Sequence, residues 1–132
     1  MIKTKSIVRL VLISMLMIAA APAYSSGEAM QIWRCEIEDG TTEKAIKDHA
    51  VKWLAAVRKI NGGKDMKASV SFPVAVNGTG EIDMLFTMIA PNFESWGKFW
   101  DAYGDSEVAK MDSEDGSIDC PDSVVWETFI IK

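Results

Sequence analysis

Five polar side chains stand out as groups that could do chemistry: Arg34, Glu36, Asp83, Thr87 and Glu127. The alternation of their segments places all five on one face of a sheet, with Ser69, Ser71, Ile32, Leu85, Val125 and Phe129. A carboxylate in a largely apolar pocket has its pKa raised by desolvation and can take a proton near neutral pH. Glu127 and Glu36 are therefore the candidate bases, and Arg34 the candidate anion holder. Asp83, Thr87, Ser71 and Phe129 complete the candidate ligand-binding set. The structural alternative is an interfacial ion pair between Arg34 and one glutamate.

Other motifs are absent or explained by folding. His49 is the one histidine, and no cysteine or aspartate stands at metal-ligand spacing from it, so no metal is expected. No Ser–His–Asp order, phosphate loop or calcium loop is present. Phe93, Trp96, Trp100 and Tyr103 resemble a cofactor box, but their spacing is helical and favours core packing. Met66, Met84 and Met88 read as core filler. Asn77-Gly78-Thr79 matches a glycosylation acceptor, and turn chemistry explains it fully. No cofactor is implied.

These residues must be positioned by regular elements. Val70, Phe72, Val74 and Val76 alternate with Ser69, Ser71, Pro73 and Ala75. After Asn77-Gly78-Thr79-Gly80, Ile82, Met84, Phe86 and Met88 keep the period of two. This predicts a hairpin with Val70, Phe72, Val74, Met84 and Phe86 inward, under the helices, and Asn-Gly supplying the positive φ of the turn. Pro73 lacks an amide hydrogen and puts the first strand at an edge or a bulge. Met30 to Ile37 reads as an earlier strand with Trp33, Cys35 and Ile37 inward. Val124 to Ile131 reads as the last strand, with Val124, Trp126 and Ile130 inward.

Two helices fill the gaps. Thr41 or Thr42 caps the first, which carries Ile46, Ala50, Trp53, Leu54, Val57 and Ile60 on one stripe and stops at Asn61-Gly62-Gly63. Pro91-Asn92 opens the second, which runs to Tyr103. Ser106 to Met111 is a candidate for one more short turn. The acidic run Asp112 to Asp122 reads most simply as a solvated loop.

The order strand, helix, strand, strand, helix, strand is the ferredoxin-like split βαβ plan. The fold class is α+β: a four-stranded antiparallel sheet with two helices on one face. In this plan the first and last strands are antiparallel neighbours, so Cys35 and the start of the last strand near Cys120 come together. A Cys35–Cys120 disulfide follows, with two buried free thiols as the alternative.

The chain has 132 residues, enough for one small domain. Lys3, Lys5 and Arg9 precede an apolar run from Leu10 to Ala21 and small residues at Ala21, Ala23 and Ser25. This predicts a signal peptide over residues 1–25, cleaved after Ala23 or Ser25, and a mature domain over 26–132. The rival reading is an uncleaved membrane anchor, and the run is shorter than the roughly 20 residues a span needs, which favours cleavage. Losing the three basic residues takes the formal charge from −5 to −8. With no basic cluster, such a domain is a poor partner for nucleic acid. A periplasmic or secreted protein, free of the membrane after cleavage, is expected.

The hairpin Val70 to Met88, the helix Phe93-Glu94-Ser95-Trp96-Gly97-Lys98-Phe99-Trp100 and the strand Val124-Val125-Trp126-Glu127-Thr128-Phe129 together resemble the dimeric α+β barrel superfamily. The closest likeness is to its antibiotic-biosynthesis-monooxygenase-like and NIPSNAP-like branches, over Met30 to Lys132. The resemblance implies a homodimer paired sheet against sheet, with a pocket in each subunit. Activities in that superfamily include cofactor-independent monooxygenation, isomerisation, haem degradation and none. No residue set here matches the Asn, Trp and His pattern of the haem-degrading members. Three functions stay open: a dimeric domain binding a small, mostly apolar ligand over the open sheet face; a cofactor-independent monooxygenase or isomerase; and a structural or protein-interaction domain.

Overall fold

A computed structural model describes residues 27–75 and 82–132. The predicted export leader and the turn Asn77 to Gly80 lie outside these residues.

The strands are β1 (Glu28–Ile37), β2 (Lys67–Ser71), β3 (Met84–Ala90) and β4 (Ile118–Thr128). The helices are α1 (Glu43–Val57), α2 (Phe93–Tyr103) and α3 (Glu107–Glu114). The sheet order is β2-β3-β1-β4, and every neighbouring pair is antiparallel. This is the expected ferredoxin-like α+β plan, with one more helix than the two expected.

Each helix begins on a side-chain cap that satisfies an otherwise orphaned N–H. Thr42 Oγ1 accepts from Ala45 N–H at 3.2 Å, Asn92 Oδ1 from Ser95 N–H at 2.8 Å, and Ser106 Oγ from Ala109 N–H at 3.1 Å. The first helix ends at Val57, and two tighter turns carry the chain through Ile60. Gly62 has φ 84°, and a Cβ there would stand 2.4 Å from the Ser95 carbonyl oxygen of α2. The glycine stop therefore also lets the end of α1 pack closely on α2.

The core lies between the sheet and the helices. Ile46, Trp53 and Val57 of α1, Phe99 of α2 and Val108 of α3 pack onto Cys35, Met84, Phe86 and Met88. Fully burying a side chain such as Phe99 stabilises by about 2–3 kcal/mol. Cys35 and Cys120 are bridged, with Cα atoms 4.1 Å apart, as the strand plan requires.

Two segments depart from expectation. The strand expected to run through Val76 stops at Ser71, two residues before Pro73, because proline removes a ladder hydrogen bond. Phe72 still packs against the core, but Val74 is fully exposed instead of inward. The strand is an edge strand, where Pro73 is tolerated.

The second departure is the phase of β4. Arg34 faces Asp122, yet Glu36 faces Asp119, so two steps on β1 meet three on β4. This bulge, which contains Pro121, inserts one residue and reverses the inward and outward sets beyond it. Directly opposed residues share a face. Val124 opposes Ile32, and Trp126 opposes Met30, so both lie on the open face and not inward. Val125 and Glu127 oppose Gln31 and Ala29, and so lie on the helix side. Ile130 lies past the strand end and is exposed.

Candidate functional site

The proposed chemical residues do not converge. On the open face, Asp122, Arg34, Leu85 and Ser71 form one row across the four strands. The next row is Val124, Ile32, Thr87 and Ser69, followed by Trp126, Met30, Ile89 and Lys67. Arg34 does form an ion pair, but its partner is Asp122, not a glutamate. Its Nε donates to Asp122 Oδ1 at 2.8 Å, and Nη2 contacts Oδ2. This exposed pair raises the guanidinium pKa and lowers that of the carboxyl, through the hydrogen bond first and the charges second for Arg34.

Asp83 accepts from the Ile37 N–H at 2.9 Å and so ties off the end of β1. Glu36 is exposed opposite Asp119. Glu127 stands at the other end of the sheet, on the other side, where Oε1 accepts from Gly27 N–H at 3.4 Å. Five positions along β1 separate the Glu127 partner, Ala29, from Arg34, about 17 Å of strand. Phe129 is exposed near that same end, against Gly27. The set predicted from alternation is therefore split between two faces and two ends.

A different set is brought together on the helix side. A cleft of about 410 Å³ opens between the sheet and all three helices. Trp33 and Phe86 form its floor, with Ile118 and Cys120 from β4 beside them. Trp53 and His49 come from α1, and Trp100 and Tyr103 from α2. Asp112, Asp115 and Asp119 mark the acidic side. Its volume falls in the range of small-ligand sites, with aromatic rings along one side and polar groups along the other.

The aromatic wall is one chain of contacts. Trp53 meets Phe86 at 5.0 Å, Phe86 meets Trp33 at 6.0 Å, Trp33 meets Trp100 at 6.3 Å, and Trp100 meets Tyr103 at 4.9 Å. Gln31 orients one member from beneath. Its Oε1 accepts from Trp96 Nε1–H at 2.9 Å and from Trp100 Nε1–H at 3.0 Å, while Nε2 donates to Ser123 Oγ at 3.2 Å. One buried amide thus joins β1, α2 and β4 and sets the tilt of the Trp100 ring.

The polar side is equally tied. Tyr103 O–H donates to Asp112 Oδ2 at 2.7 Å. Burial raises the Tyr103 phenol pKa, and the hydrogen bond and charge of Asp112 raise it further. Burial also raises the Asp112 carboxyl above its usual range, and the Asp115 charge adds to this; Tyr103, Trp53 and His49 pull the other way. Asp115 accepts from Ser117 N–H at 3.0 Å and lies 3.5 Å from His49 Nε2. The acidic run is therefore no simple solvated loop. Asp112 ends up in α3, and Asp115 is half-buried against His49.

The helical aromatic stripe divides in the same way. Phe99 is core, whereas Trp100 and Tyr103 line the cleft. Among the described residues, no group of three histidine, cysteine or carboxylate side chains is placed to hold a metal, and no helix is long and apolar enough to cross a membrane.

No family model and no curated protein matches the sequence. Among solved structures, the crystal structure of At3g17210 from Arabidopsis thaliana is similar, with a TM-score of 0.57 and 12% identity. The similarity covers 80% of this chain and 98% of that one. At that identity the likeness concerns the fold alone.

Proposed function

We propose that this chain is an exported binding domain of the dimeric α+β barrel type. It holds a small, largely apolar ligand in the aromatic cleft between sheet and helices. It pairs with a second copy through the open face of the sheet. The observation that carries the binding reading is the cleft itself, about 410 Å³ and walled by Trp33, Trp53, Phe86 and Trp100. Five contacting aromatic rings along one side of an open cleft leave a volume that a ligand can take.

The pairing reading rests on the open face. Trp126 and Val124 are 57% and 45% exposed there, beside the half-buried Met30, Ile32, Leu85 and Ile89. Contiguous apolar surface of this kind marks an interaction site. Export rests on the N-terminal pattern together with the Cys35–Cys120 bridge, since disulfides persist in oxidising compartments.

Titration with 4-methylphenol, followed by tryptophan fluorescence, tests the binding reading. The expected result is a saturable change that Trp100→Ala weakens. A signal that fails to saturate, or that is unaltered in Trp100→Ala, would remove the cleft as the binding site.

A catalytic reading, as a cofactor-independent monooxygenase or isomerase, has one specific observation in its favour. His49 Nε2 and Asp115 Oδ2 are 3.5 Å apart at the cleft mouth. An imidazole beside a carboxylate can take a proton from a bound ligand, with the carboxylate stabilising the imidazolium. In that reading His49→Gln abolishes turnover while ligand binding persists. Unchanged turnover in that variant would leave the role without support.

A further inference from the structure

We propose that the ligand of the cleft is an organic cation, a small ammonium group carried on an apolar body. The inference rests on the binding reading above and adds the charge of what binds. Two features of the cleft point the same way.

The first is the wall. The five rings run in one arc from Trp53 through Phe86, Trp33 and Trp100 to Tyr103. Successive ring planes meet at 81°, 72°, 52° and 56°, so the rings are not stacked on one another and their faces turn in several directions. The face of an aromatic ring is the negative end of its quadrupole and attracts a cation, best of all at tryptophan. Several aromatic rings lining one cavity are a usual feature of a site for a substituted ammonium.

The second is the rim. Asp112 and Asp115 border the cleft on the helix side, and no lysine or arginine among the described residues lines it. The one basic group, His49, already faces Asp115. An anionic ligand would therefore meet the Asp112 and Asp115 carboxylates and no lysine or arginine. A neutral ligand would gain at most hydrogen bonds from them. An ammonium would gain from each, and the burial that disfavours the Asp112 carboxylate would be offset by the incoming charge. The acidic chain, with a formal charge of −5, also attracts cations from a distance.

The test compares three probes of similar shape on the disulfide-bonded mature protein by isothermal titration at low salt: phenyltrimethylammonium, tert-butylbenzene and benzenesulfonate. The expected result is binding of phenyltrimethylammonium roughly tenfold tighter than tert-butylbenzene, with no saturable binding of benzenesulfonate. Asp112→Asn should narrow that ratio. Equal affinity for the first two probes, or tighter binding of the sulfonate, would overturn the cation inference and leave the cleft as a binding site. No saturable binding of any probe would overturn both. A preference that survives unchanged in Asp112→Asn, in Asp115→Asn and in the double variant would also overturn the inference, because the rim would then play no part.

Discussion

The two faces of this sheet both carry aromatic and charged groups but use them differently. On the helix side, polar groups are satisfied locally, and the aromatic rings line one side of a cleft. Tyr103 is bonded to Asp112, His49 faces Asp115, and Gln31 holds two indoles at once. On the open side, Arg34 and Asp122 cancel each other in water, and Trp126 stands proud of a flat apolar patch. Concave surface with constrained polar groups suits a small molecule. Flat surface with an exposed aromatic suits a protein partner. The contrast teaches that the charged residues easiest to notice on the open face are the least organised for chemistry.

The largest expected effect concerns what holds the cleft face in shape. The bridge closes a loop with a sequence separation of 85, and Cys120 lines the cleft. Replacing Cys35 and Cys120 by alanine should lower stability by about 4 kcal/mol in urea unfolding. A loss below about 1 kcal/mol would mean that the strands alone hold β4 in place.

The next effect separates the faces. Trp126→Asp should weaken self-association by about 2–4 kcal/mol in sedimentation, while 4-methylphenol still binds the cleft. A wild-type protein that is monomeric at micromolar concentration would remove the pairing half of the comparison. Binding lost together with the dimer would show that the faces are not independent.

Gln31→Leu probes the support beneath the cleft. It removes the acceptor of two indole N–H groups and should cost about 1–3 kcal/mol in stability. It should also weaken cleft binding, because Trp100 loses its orientation. Unchanged binding would make Gln31 a structural residue only.

Asp112→Asn has a smaller effect of opposite sign. A carboxyl whose pKa is raised on folding holds its proton more tightly in the native state. Its stabilising contribution is complete below the unfolded value near 4 and is lost as pH rises through the folded value. At pH 7 the ionised group is therefore a net cost, and asparagine should match or exceed the wild type by less than about 1 kcal/mol. His49, Tyr103 and Asp115 face this carboxyl, and Asp119 shares the cleft with it. The gain should vanish near pH 3. A clear loss of stability at pH 7 would contradict the assigned direction.

Much of this arrangement was legible in the sequence, with identifiable gaps. Alternation placed Trp33, Cys35, Val70, Met84 and Phe86 inward correctly, and from that the strand order and the bridge followed. The phase of β4 was not legible, because one inserted residue at the bulge with Pro121 reverses all that follows. That single slip moved Glu127 off the face of Arg34 and put Trp126 and Val124 there instead. The cleft was hidden for another reason. His49, Trp53, Trp100, Tyr103, Asp112 and Asp115 come from three helices and the segment after α3, and no local spacing relates them. One signal was available: Trp33, Trp53, Trp100 and Tyr103 all point inward by periodicity, a large ring content for so small a core.

Five tryptophans are distributed so that one spectrum reads both faces: Trp33, Trp53 and Trp100 in the cleft, Trp96 on Gln31, and Trp126 on the open face. Assigned indole N–H resonances, followed by NMR during titration with phenyltrimethylammonium and, separately, 4-methylphenol, test the central claim that small molecules bind on the helix side. The account predicts saturable shifts at Trp33, Trp53 and Trp100, with Trp126 unmoved. Saturable shifts centred on Trp126, with the three cleft indoles unmoved, would contradict it.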